Sequence, residues 1–196
     1  MSTPNAPFQR GQTYFKGAPD TSTDANGILG MEYEIVDDTY GTGRKITVRA
    51  VRNSSTVTVY PKRLVILNAL GTAITGTAAT DSITRVAPVD EKLSASAGCV
   101  ANDICFVVVK GLALCKTQLA NDTQNVVAAG DLVAAQTINA ATTAGTTVGR
   151  VRSRALTSSV TVATTERDCI FGKAVSAVAT SNVTDTDILV DVFGVF

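Results

Sequence analysis

Side chains that commonly carry chemistry are sparse in this chain. No His occurs among its 196 residues, so neither a Ser-His nor a Cys-His pair can form, and the S-x-x-K arrangement of serine acyl-enzymes is absent as well. The four thiols, Cys99, Cys105, Cys115 and Cys169, contain no C-x-x-C pair and, without His, match none of the usual zinc spacings. They are expected to be free, reduced and structural, in keeping with the tendency of free Cys to behave as a small buried hydrophobe. Gly41-Thr-Gly43-Arg-Lys lacks both the third glycine of a dinucleotide fingerprint and the spacing of a P-loop, and reads as a hairpin loop. Asp185-Thr-Asp187 would contribute to a Ca²⁺ site only with about six or more oxygen ligands, which its neighbours do not supply, so it reads as a turn. No catalytic, cofactor-binding or metal-binding residue is assigned, and an enzyme is not expected.

Residues suited to binding are better represented. Arg150, Arg152 and Arg154 alternate, so in a strand they form one basic ridge able to contact phosphates or acidic groups on a partner; a solvated charge row is the plainer reading. Phe8, Tyr14 and Phe15 are large apolar groups in a stretch, Met1 to about Gly30, that Pro4, Pro7 and Pro19 and several glycines deprive of any periodic apolar face. That stretch reads as an arm, and its aromatics must either pack back on their own body or anchor on a neighbouring subunit. The 17 basic and 17 acidic residues cancel, so no whole-chain field draws the protein toward nucleic acid or a membrane surface. The chain begins without the charged start and long apolar stretch of a signal peptide, and no apolar run approaches the ~20 residues that cross a bilayer. It is expected to be made and kept in a cytoplasm.

The elements that would position these residues read as all-β. Thr, Ala and Val dominate, Trp is absent and aromatics make up 5% of the chain, a composition suited to many short strands over small side chains. Strands are expected around 31–37, 45–52, 56–60, 63–68, 74–77, 82–86, 125–129, 132–138, 148–156, 159–163, 169–178 and 188–196. In the second of these Ile46, Val48 and Ala50 share one face and Lys45, Thr47 and Arg49 the other, so it should be half buried. Gly130-Asp131 reads as a tight turn, and Gly172 within a strand signals a bulge or a close backbone approach. Ile188, Val190 and Val192 should form the buried face of the last strand. The centre of the chain, Asn102 to Gln118, reads as a buried hairpin turning on Lys110-Gly111, which places Cys105 and Cys115 on opposite faces. Both faces of Ile104 to Val109 are apolar, so either a second layer of the same chain or a neighbouring subunit must cover them. Residues 1–30 are then an arm and residues 31–196 a single body, with a possible sub-domain boundary near 69–100.

From Pro88 onward the order of signals, PVDEKLSASAG, NDICFVVVKGLALCKT, VVAAGDLVAA, TTVGRV, IFGKAVSA and TDILVDVFG, resembles the decoration, or cement, proteins of tailed-bacteriophage heads. The likeness covers roughly the last 110 residues, is weaker over Met31 to Asn68, and its motifs are structural. It implies a compact β-barrel or tulip-like body. It also implies a non-enzymatic virion protein that binds the major capsid protein on the outer capsid surface and stabilises the shell, as a homo-oligomer with a trimer favoured over a dimer. Phe8, Tyr14, Phe15, Arg150, Arg152 and Arg154 are the residues expected to meet partners. The competing reading is a carbohydrate- or receptor-binding β module on the virion surface. Such modules usually display Trp or Tyr for stacking, and here Trp is absent and Tyr sparse.

Overall fold

A computed structural model describes residues 6, 9–14, 28–37, 43–77, 85–117, 127–135, 151–153, 170–178 and 186–194. Ten strands appear among them: β1 Glu32–Asp37, β2 Arg44–Asn53, β3 Leu64–Leu67, β4 Ala73–Thr77, β5 Val86–Pro88, β6 Ile104–Lys116, β7 Leu132–Ala135, β8 Val151–Ser153, β9 Ile170–Ala174 and β10 Asp187–Val192. They form one mixed sheet in the order β5-β3-β4-β2-β6-β10-β9-β7-β8, with β1 also paired to β2. The β2–β4 pair is parallel and the other ladders are antiparallel. The all-β expectation holds. The ladders leave the sheet open; isolated bridges Val89↔Val107 and Thr117↔Val151 return the two flanks to the region of β6.

The expected central hairpin does not form. Ile104 to Lys116 is one strand of 13 residues, and the glycine taken for its turn marks a change of partner instead. Ile104 to Lys110 pair with Arg52 to Thr47 of β2, whereas Gly111 to Lys116 pair with Val192 to Asp187 of β10. Gly111 sits at φ +94°, in the region open chiefly to glycine, and the β2 ladder shifts register beside it, between Thr47 and Val48. A positive-φ glycine inside an apolar run suits a tight turn and a kinked through-strand equally well, and here long-range pairing decides. Cys105 and Cys115 therefore lie in separate halves of one strand rather than across a turn. Ile104 to Val109 are all buried, so the chain itself covers both faces and needs no neighbour to do so.

Other elements follow the sequence more closely. Ile46, Val48 and Ala50 are buried as expected, and so are Ile188, Val190 and Val192. The outer face of β2 is less exposed than its charges suggest, because β1 pairs alongside it and cross-strand side chains cover one another: Glu32 is in register with Arg49, and the Arg49 guanidinium bonds the Glu32 carboxylate. Phe106 anchors the core, with the Tyr33 ring edge-on at 5.9 Å between centroids. Gly172 stands next to a bulge and at a close approach: it pairs with Val133, the β7–β9 register then skips Phe171, and a Cβ on Gly172 would lie 2.6 Å from the Asp191 carbonyl oxygen. Residues 56–60 do not form the expected strand; only Val59 pairs, in a bridge to Cys99. The buried Asn53 side chain explains this, since its amide donates to the Val57 and Cys99 carbonyls at 2.9 and 2.8 Å and so takes an acceptor a ladder would use. The expected strand at 159–163 lies outside the described residues, as do most of 82–86 and the flanks of β8.

Candidate functional site

Two of the residues expected to meet partners are described. Tyr14 exchanges both main-chain hydrogen bonds with Ile104, at 2.8 and 2.9 Å, so its backbone extends the sheet beside β6 while its side chain stays 42% exposed. Arg152 lies in β8 opposite Ala134. Phe8, Phe15, Arg150 and Arg154 lie outside the described residues, so the basic ridge and the full aromatic set are not seen together.

The Tyr14 segment is held by a buried ion pair that no local sequence pattern announces. Arg10 reaches Asp90 through Nε at 2.9 Å and Nη2 at 2.5 Å, and Asp37 through Nη1 at 3.1 Å. Its side chain is 11% exposed, against 4% for Asp37 and 2% for Asp90. Asp90 also accepts the Gly11 and Lys92 amides at 3.2 and 3.3 Å. Burial opposes the charge on Arg10, but the two carboxylates prevail and hold its pKa above the ordinary value. Residues 9–14 are thus fastened to the body's own strands.

A second charged cluster surrounds the start of β10. Asp187 accepts from Lys62 on one carboxylate oxygen and is ion-paired with Lys116, at 2.6 Å, through the other; of the turn expected at 185–187, Asp185 lies outside the described residues and Asp187 opens β10. Beside this cluster lies a groove of about 450 Å³ lined by Tyr60, Pro61, Lys62, Arg63, Ala95, Ser96 and Lys116. A second groove, of about 370 Å³, opens where β6 exchanges β2 for β10 and is lined by Glu34, Lys45, Thr47, Lys110, Gly111, Asp191, Val192 and Phe193. It carries both signs of charge, with Lys45 paired to Glu34 and Phe193 half exposed at its edge. The first groove is the better candidate for a ligand, because three cations line it.

Partial burial alone would raise the Asp187 pKa, but hydrogen bonds and charge from Lys116 and Lys62 outweigh it and hold the carboxylate below its ordinary range. A carboxylate whose pKa is lower folded than unfolded stabilises fully above the unfolded value of about 3.9, and the stabilisation is lost as pH falls through the folded value. Asp187→Asn is therefore expected to cost on the order of 1 kcal/mol near pH 7 and progressively less as the pH falls through the folded value. Urea titrations of both proteins across that range check this; a gap that persists in acid would refute the ionic origin.

The thiols offer no surface nucleophile among the described residues. Cys99, Cys105 and Cys115 are free, as expected, and wholly buried. The Cys105 thiol is pushed up by its hydrogen bond with the Cys99 thiol and by burial, and Cys115 mainly by burial, so neither supplies a reactive thiolate. Cys169 lies outside the described residues. Among the described residues no cluster of Cys, Asp and Glu is arranged to hold a metal ion. No protein-family model matches the chain, and no curated protein matches it in sequence.

Proposed function

We propose that this chain is a structural virion protein that attaches to the outside of a tailed-bacteriophage head, on the major capsid protein, and stabilises the shell. It is made in the host bacterial cytoplasm and acts as a homo-oligomer, a trimer in preference to a dimer, since closed rings of identical subunits match the symmetry positions of a shell. The resemblance over the last 110 residues supports this reading, and the bridges that return to β6 at Val107 and to its end at Thr117 support a barrel or tulip-like body. The observation that carries it is Tyr14: its main chain is fixed to Ile104 and its segment to Asp90, yet its side chain is displayed. An aromatic side chain on a fixed backbone binds with less ordering cost than one on a free tail, which suits an anchor.

Burying one aromatic side chain contributes about 1.5–3 kcal/mol, and each 1.4 kcal/mol is a factor of ten in affinity. Tyr14→Ser is therefore expected to weaken attachment to undecorated shells by roughly one to two powers of ten, measured as occupancy after sedimentation. Wild-type occupancy by the variant would remove Tyr14 from the mechanism. Failure of the wild type to bind any phage shell would remove the function.

A further inference from the structure

The groove beside Asp187 combines three features that a solvated patch of lysines does not share. Its cations are partly withdrawn from water: Lys62 and Lys116 are each 24% exposed and Arg63 is 7% exposed. Its rim is fixed, because the Lys62 amide donates to the Val89 carbonyl at 3.1 Å, the Lys62 carbonyl accepts from the Lys116 amide at 2.9 Å, and the Arg63 carbonyl accepts from the Val89 amide at 2.9 Å. Lys62 also adopts φ +65°, a conformation that costs a side-chain-bearing residue energy and persists where surrounding bonds enforce it, often at binding sites. The two lysines already hold one carboxylate, that of Asp187, one on each oxygen. None of the described residues lining the groove is acidic.

We propose that this groove binds a carboxylate-bearing peptide segment of a protein partner. The identity of that partner as the major capsid protein rests on the function proposed above; the chemistry of the groove does not. Charge complementarity favours an acidic peptide over a nucleic acid. The chain has no net charge, and binding of a long polyanion draws on an extended basic surface that this short groove does not provide. Tyr60, Pro61 and Ala95 add an apolar wall suited to the aliphatic part of a Glu side chain, and the volume falls within the range of pockets that enclose small ligands.

The test places a carboxylate in the groove from the protein itself. Among the described residues the hydroxyl of the exposed Ser96 meets only that of the exposed Ser94, at 3.1 Å, so Ser96→Glu replaces no partner of the Asp187 ion pairs, and thermal melting checks that it folds. Binding of an acetylated, amidated tetraglutamate peptide is followed by chemical-shift titration, with tetraglutamine and inorganic phosphate as controls. Ser96→Gln adds the same bulk without the charge and so sets the steric part of any loss of tetraglutamate binding. Ser96→Glu should bind tetraglutamate at least about tenfold more weakly than Ser96→Gln, and added salt should weaken binding in each case. Equal affinity in Ser96→Glu and Ser96→Gln, no binding by wild type, or equally tight binding of tetraglutamine or phosphate would each overturn the proposal. Shell occupancy separates this from the function: if wild type and Ser96→Glu decorate shells equally, the groove is not the attachment site although the function stands. If wild type decorates no shell while tetraglutamate still distinguishes the variants, the function falls and the groove remains.

Discussion

Replacing Arg10 with Met is expected to remove about 3–5 kcal/mol of stability, the usual cost of deleting one partner from a buried ion pair. The size follows from what remains: Asp37 and Asp90, almost without solvent contact, would lose the guanidinium that pairs them. For a chain of this length such a loss lowers the melting temperature by on the order of 10 °C. Asp90→Asn should be worse than Asp37→Asn, because Asp90 takes two of the three Arg10 contacts and also the Gly11 and Lys92 amides. Release of residues 9–14 as a unit would let water reach both carboxylates and would cap the loss below that range. Hydrogen exchange at Tyr14 and Ile104, whose amides bond each other's carbonyls, separates the outcomes. Fast exchange at these two amides with a small change in melting temperature means the strap lifts alone, whereas a large fall in melting temperature means it is part of the cooperative fold. Slow exchange together with an unchanged melting temperature would refute a stabilising role for the pair.

What could be read beforehand divides along physical lines. Strand faces set by alternation, as in Ile188, Val190 and Val192, came through because a period of two is local and one face must be buried. Gly172 came through because a missing side chain inside a strand is itself the signal of crowding. The Arg10 and Asp90 pair did not, since its members are 80 positions apart and a charge gives no local sign of being buried. Lys62, Lys116 and Asp187 were hidden for the same reason: each looks like an ordinary surface charge until β10 is laid against β6. The role of Asn53 in occupying the Val57 carbonyl depends on its side chain being enclosed, which a polar residue type does not announce. Of the expected partner-binding residues, Tyr14 was legible as a large apolar group in a polar stretch, but the main-chain pairing that fixes it was not.

Gly111→Ala is expected to destabilise by about 2–4 kcal/mol, and it tests the reading of β6 as one strand that changes partner. Two costs contribute. Placing a side-chain-bearing residue in a left-handed conformation costs roughly 1–2 kcal/mol, and φ +94° lies beyond the centre of that region. A Cβ would also meet Ile46 Cγ2 at 3.1 Å and the Lys45 carbonyl oxygen at 3.2 Å, so β2 must give way where its register already shifts; overpacking of this kind adds about 1 kcal/mol or more. Gly130 supplies the control, because it has nearly the same φ, +97°, but its nearest neighbour would be Lys173 Cε at 3.9 Å. Gly130→Ala should therefore show the conformational cost alone, about 1–2 kcal/mol, and the excess in Gly111→Ala measures the crowding between β2 and β6. Urea unfolding of the two variants gives that difference directly. A hairpin turning at Lys110-Gly111 would project its turn away from β2, and the two substitutions would then cost the same. A clear excess at Gly111 is what a strand threaded between two partners requires, and equal costs would return the chain to the hairpin its sequence suggests.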